Sequence, residues 1–427
     1  MTRVVEVWSD ADFAAAARTG WLHDDRGQIR FEYDPAWLDR GPAFDLDPSL
    51  TLGTAPFFPN ARTGNFGIFL DSSPDRWGQT LMKRREAMLA RDEHRAPRTL
   101  RAWDFLLGVQ DATRQGALRL RDAERDTFLA DDPLAAPPVT SLRELEEVAR
   151  ELTRRDTDDL DRLRRWLAVL VTPGASLGGA RPKANFRDAD GSLWIGKFPA
   201  RDDDRDLGAW EFAAHQLGER AGIDVPPARL LRFSDFHTFC VRRFDRVDGR
   251  RRFYASAMTM LARTQSEGTS YIELAEFLQL RGATGFIRHD LEQLFRRVVF
   301  NVLTGHRDDH LRNHGFILTA AGWRLAPAFD VNPTVDKEEH VLNLDESSPT
   351  PRIAALLETH PYYGLDLDRA RTITREVADV VAHWRDDARR LRIPEAEIDA
   401  MAPAFAAVDS VADDRCAARP RGRRRTR

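Results

Sequence analysis

Apolar and polar positions along this 427-residue chain change period several times. Residues 3–8 and 28–33 alternate with a period of two, which predicts strands with one buried face. Ser73-Pro74 predicts a helix start, with serine as the cap and proline at the first helical position, continuing through 76–93. The first 120 residues thus read as mixed α and β. A proline-rich linker follows at 131–140. Ser141 with Glu144 then has the capping-box pattern of a helix running to about Arg155, and a second helix is predicted over 159–171.

Residues 172–198 read as a glycine-bearing loop and then a hairpin turning at Asp190-Gly191. A helix over 207–221, closed by Gly222, and a second hairpin over 228–244 come next. From about Ala257 the pattern is helical, except for a short hairpin pairing 315–318 with 323–326. The last helices are predicted over 367–391 and 395–408. No internal repeat is visible. The expected division is an N-terminal α/β part (1–130), linker helices with a glycine loop and hairpins (131–245), a helical C-terminal part (246–412) and a tail (413–427).

Composition narrows the class. Hydrophobic residues make up 42% and charged residues 31%, with a formal net charge of -4. This excludes a wholly disordered chain and a uniformly basic nucleic-acid coat. Cys240 and Cys416 are too few for a disulfide framework. The N-terminal stretch has no apolar signal region, and the longest apolar run near a helix, 166–171, falls far short of the ~20 residues that span a bilayer. No membrane association and a cytoplasmic location are the expectation. The tail is different: 419–427 holds six arginines in nine residues and is expected to stay disordered. Lysine is scarce, with only Lys83, Lys183, Lys197 and Lys337 among 64 basic residues. A surviving lysine points to a place that needs a compact ammonium.

The candidate chemistry begins at His306-Arg307-Asp308-Asp309-His310-Leu311-Arg312-Asn313, followed by the hairpin and Phe329-Asp330. The first eight residues fit the kinase pattern H-R-D-x-x-x-x-N. In that logic Asp308 accepts the proton of an attacking hydroxyl, and Asn313 and Asp330 supply hard oxygen ligands for Mg²⁺. Asp330 is followed by Val331-Asn332, not Phe-Gly, so the usual kinase switch motif is absent. Upstream, Lys197 ends a predicted strand and Glu211 lies on the next helix. A strand lysine held by a helical glutamate is how kinases set an ammonium against nucleotide phosphates. The loop Gly174 to Lys183 could form an anion nest, although it is neither a Walker A loop nor G-x-G-x-x-G.

Taken in order, SLGGARPK, WIGKFP, VRRFDR, GHRDDHLRNHGF and LAPAFDVNPT resemble the HipA-type serine/threonine kinase toxins of bacterial type II toxin–antitoxin systems. Gly64-Asn65-Phe66, Asp75-Arg76-Trp77-Gly78 and Gly116-Ala117-Leu118 resemble that family's N-terminal part. The resemblance implies an α+β, two-lobed, protein-kinase-like fold with a mixed α/β N-terminal part and an all-helical C-terminal part, binding ATP and Mg²⁺. It casts Asp308 as catalytic base and Asn313 and Asp330 as metal ligands, with Lys197 on the phosphates, supported by Glu211. Gly178, Gly179, Ala180, Arg181, Pro182 and Lys183 would wrap the nucleotide. The backbone of Arg242, Arg243 and Phe244 would read adenine and Asp245 would lie near the ribose, with His310 and Phe329 also against ATP. Ser176 takes the place of the serine that such kinases autophosphorylate to switch themselves off. A phosphate there adds about -1.5 to -2 charge to a loop meant for ATP phosphates.

The function implied is phosphorylation of a protein target, for example an aminoacyl-tRNA synthetase, by a toxin whose partner is a DNA-binding, HipB-like antitoxin. Two alternatives stay open at the sequence level. One is an antitoxin-binding co-repressor with weak or lost catalysis, touching DNA through or beside its partner. The other is a small-molecule or lipid kinase, which the Asp–Asn–Asp set alone does not separate from a protein kinase.

Overall fold

The computed structural model describes residues 2–40, 43–124, 127–130, 136–152, 181–409 and 411. The helix predicted over 159–171, the loop from Gly174 to Ala180 with Ser176, and the arginine-rich tail lie outside the described residues.

The alternating segments become the N-terminal sheet. β1 (Thr2–Ser9), β2 (Ala17–Asp25), β3 (Gln28–Tyr33), β4 (Leu118–Asp122) and β5 (Thr127–Phe128) form one antiparallel sheet in the order β3-β2-β1-β4-β5. β2 and β4 were not predicted: Ala17–Asp25 carries Gly20 and a run of polar residues that blur its alternation. Its Gly20 is required because a Cβ there would lie 2.1 Å from the Glu32 carbonyl oxygen. The helix predicted through 76–93 is Arg76–Asp92, and its cap is Asp75, whose carboxylate accepts from the Gly78 N–H at 2.9 Å. This corrects the expectation of a Ser73 cap; the Ser73 hydroxyl instead donates back to the Phe69 carbonyl at 2.8 Å.

The middle of the chain builds a four-stranded antiparallel sheet, β6-β7-β9-β8, from β6 (Lys183–Arg187), β7 (Leu193–Lys197), β8 (Ala228–Arg232) and β9 (His237–Arg242). The β6–β7 hairpin turns at Asp188–Ser192, where Gly191 has φ +81°. The helix Leu207–Arg220 crosses behind β9 and ends before Gly222 at φ +76°. The helix Leu142–Leu152, entered through the tight turn Val139–Ser141, packs its leucines against Phe186 and Trp194.

The C-terminal part is helical apart from a three-stranded sheet of β12 (Phe253–Ser256), β13 (Gly315–Thr319) and β14 (Gly322–Leu325), numbered after the short pair β10 (Arg246–Val247) and β11 (Arg250–Arg251). The predicted hairpin is therefore extended by one strand from before the helices. The long helix Ile287–Thr304 is the axis of this part, with Leu294, Phe295, Val298, Val299 and Phe300 all buried. The helix expected over 367–391 is two, Leu367–Val381 and Trp384–Arg390. The one expected over 395–408 shortens to Glu395–Met401, followed by a tight turn containing Pro403, which cannot donate to a helical hydrogen bond. The main apolar core runs from the N-terminal sheet (Val7, Leu22, Phe31) into the C-terminal helices (Leu303, Val377, Ile398). No described helix is long and apolar enough to cross a membrane.

Candidate functional site

The site grows from the end of the long helix. Gly305 closes Ile287–Thr304 at φ +65°, and a Cβ there would lie 2.5 Å from the Ala404 carbonyl oxygen. Glycine alone lets the chain turn here. The turn launches the segment His306 to Asn313. Of its two adjacent aspartates, Asp309 points inward. Its carboxylate accepts from the Tyr271 hydroxyl at 2.5 Å, Asn301 Nδ2 at 2.7 Å and His314 Nε2 at 2.8 Å, with His306 Nε2 at 3.6 Å. Burial opposes its charge, but His314 and His306 outweigh it and hold the carboxyl well below the usual carboxylate range. Asp309 is thus a buried anchor. Asp308 is outward, with a side chain 60% exposed, and is ion-paired with Lys337. The alternation places one carboxylate in the core and its neighbour in the open cleft.

Asn313 is buried beside it. Its Nδ2 donates to the Asp308 carbonyl at 3.3 Å, while its Oδ1 has no hydrogen-bond partner. Asp330 arrives from β14 with φ +59°, a left-handed conformation uncommon outside glycine and often found at functional sites. His306 Nδ1 lies 3.0 Å from the Asn332 carbonyl oxygen, tying the Asp330 segment to the His306 loop. Lys197, at the end of β7, reaches across and donates to Asp330 Oδ1 at 2.6 Å and to Glu211 Oε1. Burial alone would push the Lys197 ammonium down, but Asp330 and Glu211 outweigh it and hold it above its ordinary value. The two acids that share this ammonium diverge. Burial pushes the Glu211 carboxyl up, whereas Lys197 overcomes burial at Asp330 and holds it down.

Lys183, Lys197, Glu211, Asp308, Asp330 and Lys337 line one cleft, open to solvent, with a volume of about 500 Å³. A more apolar cavity adjoins it, lined by Ile195, Val225, Phe239, Val241, Ala328 and Phe329 and reaching Asn313 and Asp330. The polar cleft, with three lysines on its walls, fits phosphates. The oxygen set also fits a hard cation. An orphaned, buried amide oxygen on Asn313 and the Asp330 carboxylate supply two ligands, and Mg²⁺ completes its shell with water and phosphate oxygens. Among the described residues no group of three or more His, Cys, Asp or Glu side chains could hold a metal by itself.

Other sequence-derived candidates sit differently. Lys183 pairs across the hairpin with Lys197, but its ammonium is buried against Asp75 at 2.7 Å. Arg181 is held by Asp203, one arm at 2.8 Å. Pro182 is buried and its carbonyl accepts from the Phe198 N–H at 2.9 Å. His310 is half-buried and its charge would favour the ionised form of Asp330. Phe329 lies over Phe244 with centroids 5.3 Å apart. The backbone N–H groups of Arg242 and Arg243 already donate to Pro227 and Leu193 at 2.8 and 2.9 Å, so adenine would have to read other backbone groups of this strand.

Asp245 departs from its expected ribose role. It accepts from Arg243 Nε at 2.9 Å, Arg243 Nη2 at 2.6 Å, Arg246 Nη1 at 2.7 Å and the Gly116 N–H at 2.8 Å. It is buried, and these cations overcome desolvation to hold it far below the usual carboxylate range. Its oxygens are committed to Arg243, Arg246 and the Gly116 loop. Sequence reasoning missed Lys337 as a site residue. The available signal was lysine scarcity: three of the four lysines line this cleft, and Lys83 lies elsewhere, near the Phe105 ring.

An antiparallel sheet joined to a helical part, with Lys–Glu–Asp at the seam, defines a kinase-like two-lobed protein. Comparison with known proteins gives the family. A HipA N-terminal domain model matches residues 12–119 and a HipA-like C-terminal domain model matches 175–384, together most of the chain. The chain belongs to the HipA family. A protein named "Putative kinase Y4mE" from Sinorhizobium fredii is 26% identical over 363 residues, 78% of each chain. The serine/threonine-protein kinase toxin HipA of Shewanella oneidensis is 24% identical over 186 residues, 37% of this chain and 43% of that one. A Shewanella oneidensis HipA structure, solved with HipB and its operator DNA, superposes with a TM-score of 0.66 at 16% identity, covering 96% of this chain and 99% of that one.

Proposed function

We propose that the chain is an ATP- and Mg²⁺-dependent serine/threonine protein kinase, the toxin of a toxin–antitoxin pair. The observation that carries this is Lys197, held between Glu211 and Asp330 at the wall of the cleft that Asp308 also lines. Asp308 takes the proton of the acceptor hydroxyl as it attacks the γ-phosphorus and the bond to the β-phosphate oxygen breaks. Lys197 balances phosphate charge and Glu211 keeps it in place. Mg²⁺, held by Asn313 and Asp330, would neutralise charge developing on the phosphates. The names of the relatives support the kinase reading, and the HipB–DNA complex supports a DNA-binding antitoxin as partner. An aminoacyl-tRNA synthetase is the protein target we would test first. Ser176 is the proposed site of self-limiting autophosphorylation.

Intact mass after incubation with ATP and Mg²⁺ tests this reading. Wild type should gain about one phosphate (~80 Da), and Asp308→Asn and Ser176→Ala should gain none. Wild-type phosphorylation retained in Asp308→Asn would reject the base assignment. Nucleotide binding without any mass gain, together with salt-sensitive DNA affinity of the isolated chain, would favour the co-repressor reading.

A further inference from the structure

A second cavity lies away from the Lys197 cleft, at the junction of the β6–β7 hairpin turn, the end of β9 and the β10–β11 pair. It has a volume of about 420 Å³ and is lined by Arg187, Arg242, Arg243, Arg246 and Arg251, with Asp190 and Asp248 at its walls. That volume is in the range of small-ligand sites, roughly 300–1,000 Å³. Five guanidiniums on one cavity need explaining, because like charges repel and a buried cation costs free energy.

The carboxylates beneath the cavity are shared, and the two at its walls, Asp190 and Asp248, are fewer than the guanidiniums. Asp245 is shared by Arg243 and Arg246, and Asp111 is shared by Arg251 and Arg119. Arg243 and Arg246 spend further donors on loop carbonyls, including those of Thr113 at 2.6 Å and Arg114 at 2.7 Å. These buried arginines form a rigid floor. Burial pushes Arg246 down to about 9 against the pull of Asp245, with Arg251 and Arg243 adding to the shift. The cavity wall itself thus carries five guanidiniums against the two carboxylates of Asp190 and Asp248. The rim supplies more available donors. Arg187 spends one arm on the Gly191 carbonyl at 3.3 Å, and Arg242 interacts at long range with Asp190.

We propose that this cavity is a binding site for a compact polyphosphate anion, with Arg187 and Arg242 as its direct ligands and the field of Arg243, Arg246 and Arg251 beneath. Guanidinium pairs phosphate oxygens two at a time, which suits a ligand bearing several phosphates. The site stands apart from the Lys197 cleft and does not depend on what that cleft does.

Calorimetric titration of the full chain with phosphate, pyrophosphate and tripolyphosphate in magnesium-free buffer tests it, with sulfate at matched ionic strength as the comparison. Affinity should rise with the number of phosphates and survive Lys197→Met. It should fall at least about tenfold in Arg187→Ala/Arg242→Ala and increase in Asp190→Asn, which removes a carboxylate facing Arg242. Both arginines lie at the rim, and far-ultraviolet circular dichroism checks that the double variant is folded. Tripolyphosphate affinity lost in Lys197→Met but kept in the arginine variant would place the anion in the other cleft and overturn the proposal. Binding no tighter than sulfate would overturn it as well.

Discussion

Lys337 and Asp308 are both well exposed, and an ion pair in water contributes only about 0–1 kcal/mol to stability. Its placement against the proposed base therefore has a functional meaning more than a structural one. Lys337→Met should leave the melting temperature unchanged while lowering kcat/KM for phosphoryl transfer about tenfold, because a cation next to the transferring group is lost. His340 makes the opposite kind of prediction. It is buried, neither ring nitrogen has a hydrogen-bond partner, and burial pushes it down to about 4. The unfolded chain takes up this proton first, near 6.5, so stability falls as pH drops from 6.5 towards 4, by about 3 kcal/mol in all. Nearby His306 has the reverse sign: Asp309 overcomes burial and raises it, so its contribution is full below 6.5 and is lost as pH rises through the raised value. Urea denaturation at pH 7 and pH 4.5 separates the two, since His340→Leu should flatten the acid-side loss only.

At the scale of elements, the helix Ile287–Thr304 and the turn after it decide where Asp308 and Asn313 stand. Gly305→Ala forces a Cβ against the Ala404 carbonyl in a left-handed conformation, and should destabilise by about 2 kcal/mol or more. Thermal melting together with phosphoryl-transfer assays would show both losses; a variant as stable as wild type would mean that the turn has other solutions. Elements with strong local signals were legible in the sequence. The Asp190-Gly191 hairpin, the helix ending before Gly222 and the hairpin before Asp330 all follow from turn glycines and regular periods. β2 and β4 were not: polar residues blur the alternation of β2, and β4 is paired with β1, more than a hundred residues away. The candidate site was partly legible too. Asp308, Asn313, Asp330, Lys197 and Glu211 come together because kinase-like spacing encodes them. Asp245 was misread, since sequence cannot show that Arg243, Arg246 and Gly116 occupy its oxygens. Nor can it show which of two adjacent aspartates faces inward.

Across the whole molecule, the buried carboxylate of Asp245 is a joint. It binds the N-terminal loop at Gly116 and holds Arg243 and Arg246, whose other donors grip carbonyls of Thr113 and Arg114. Asp245→Asn leaves two buried guanidiniums short of charge, and removing one partner of such a pair costs about 3–5 kcal/mol. The expected outcome is easier proteolysis between the N-terminal sheet and the rest, seen as new cleavage at residues 111–116. Unchanged digestion would mean that the apolar core shared by the two parts is sufficient by itself.

The rarity of lysine has a practical consequence. An amine-reactive reagent meets only four side chains on this chain, and the molecule sorts them by accessibility. Lys83 and Lys337 are exposed, whereas Lys183 and Lys197 are shielded and ion-paired with carboxylates. Acylation read by peptide mass would thus report the cleft almost by itself, with Lys83 as an internal reference and Lys337 as the reporter of whatever occupies the space beside Asp308.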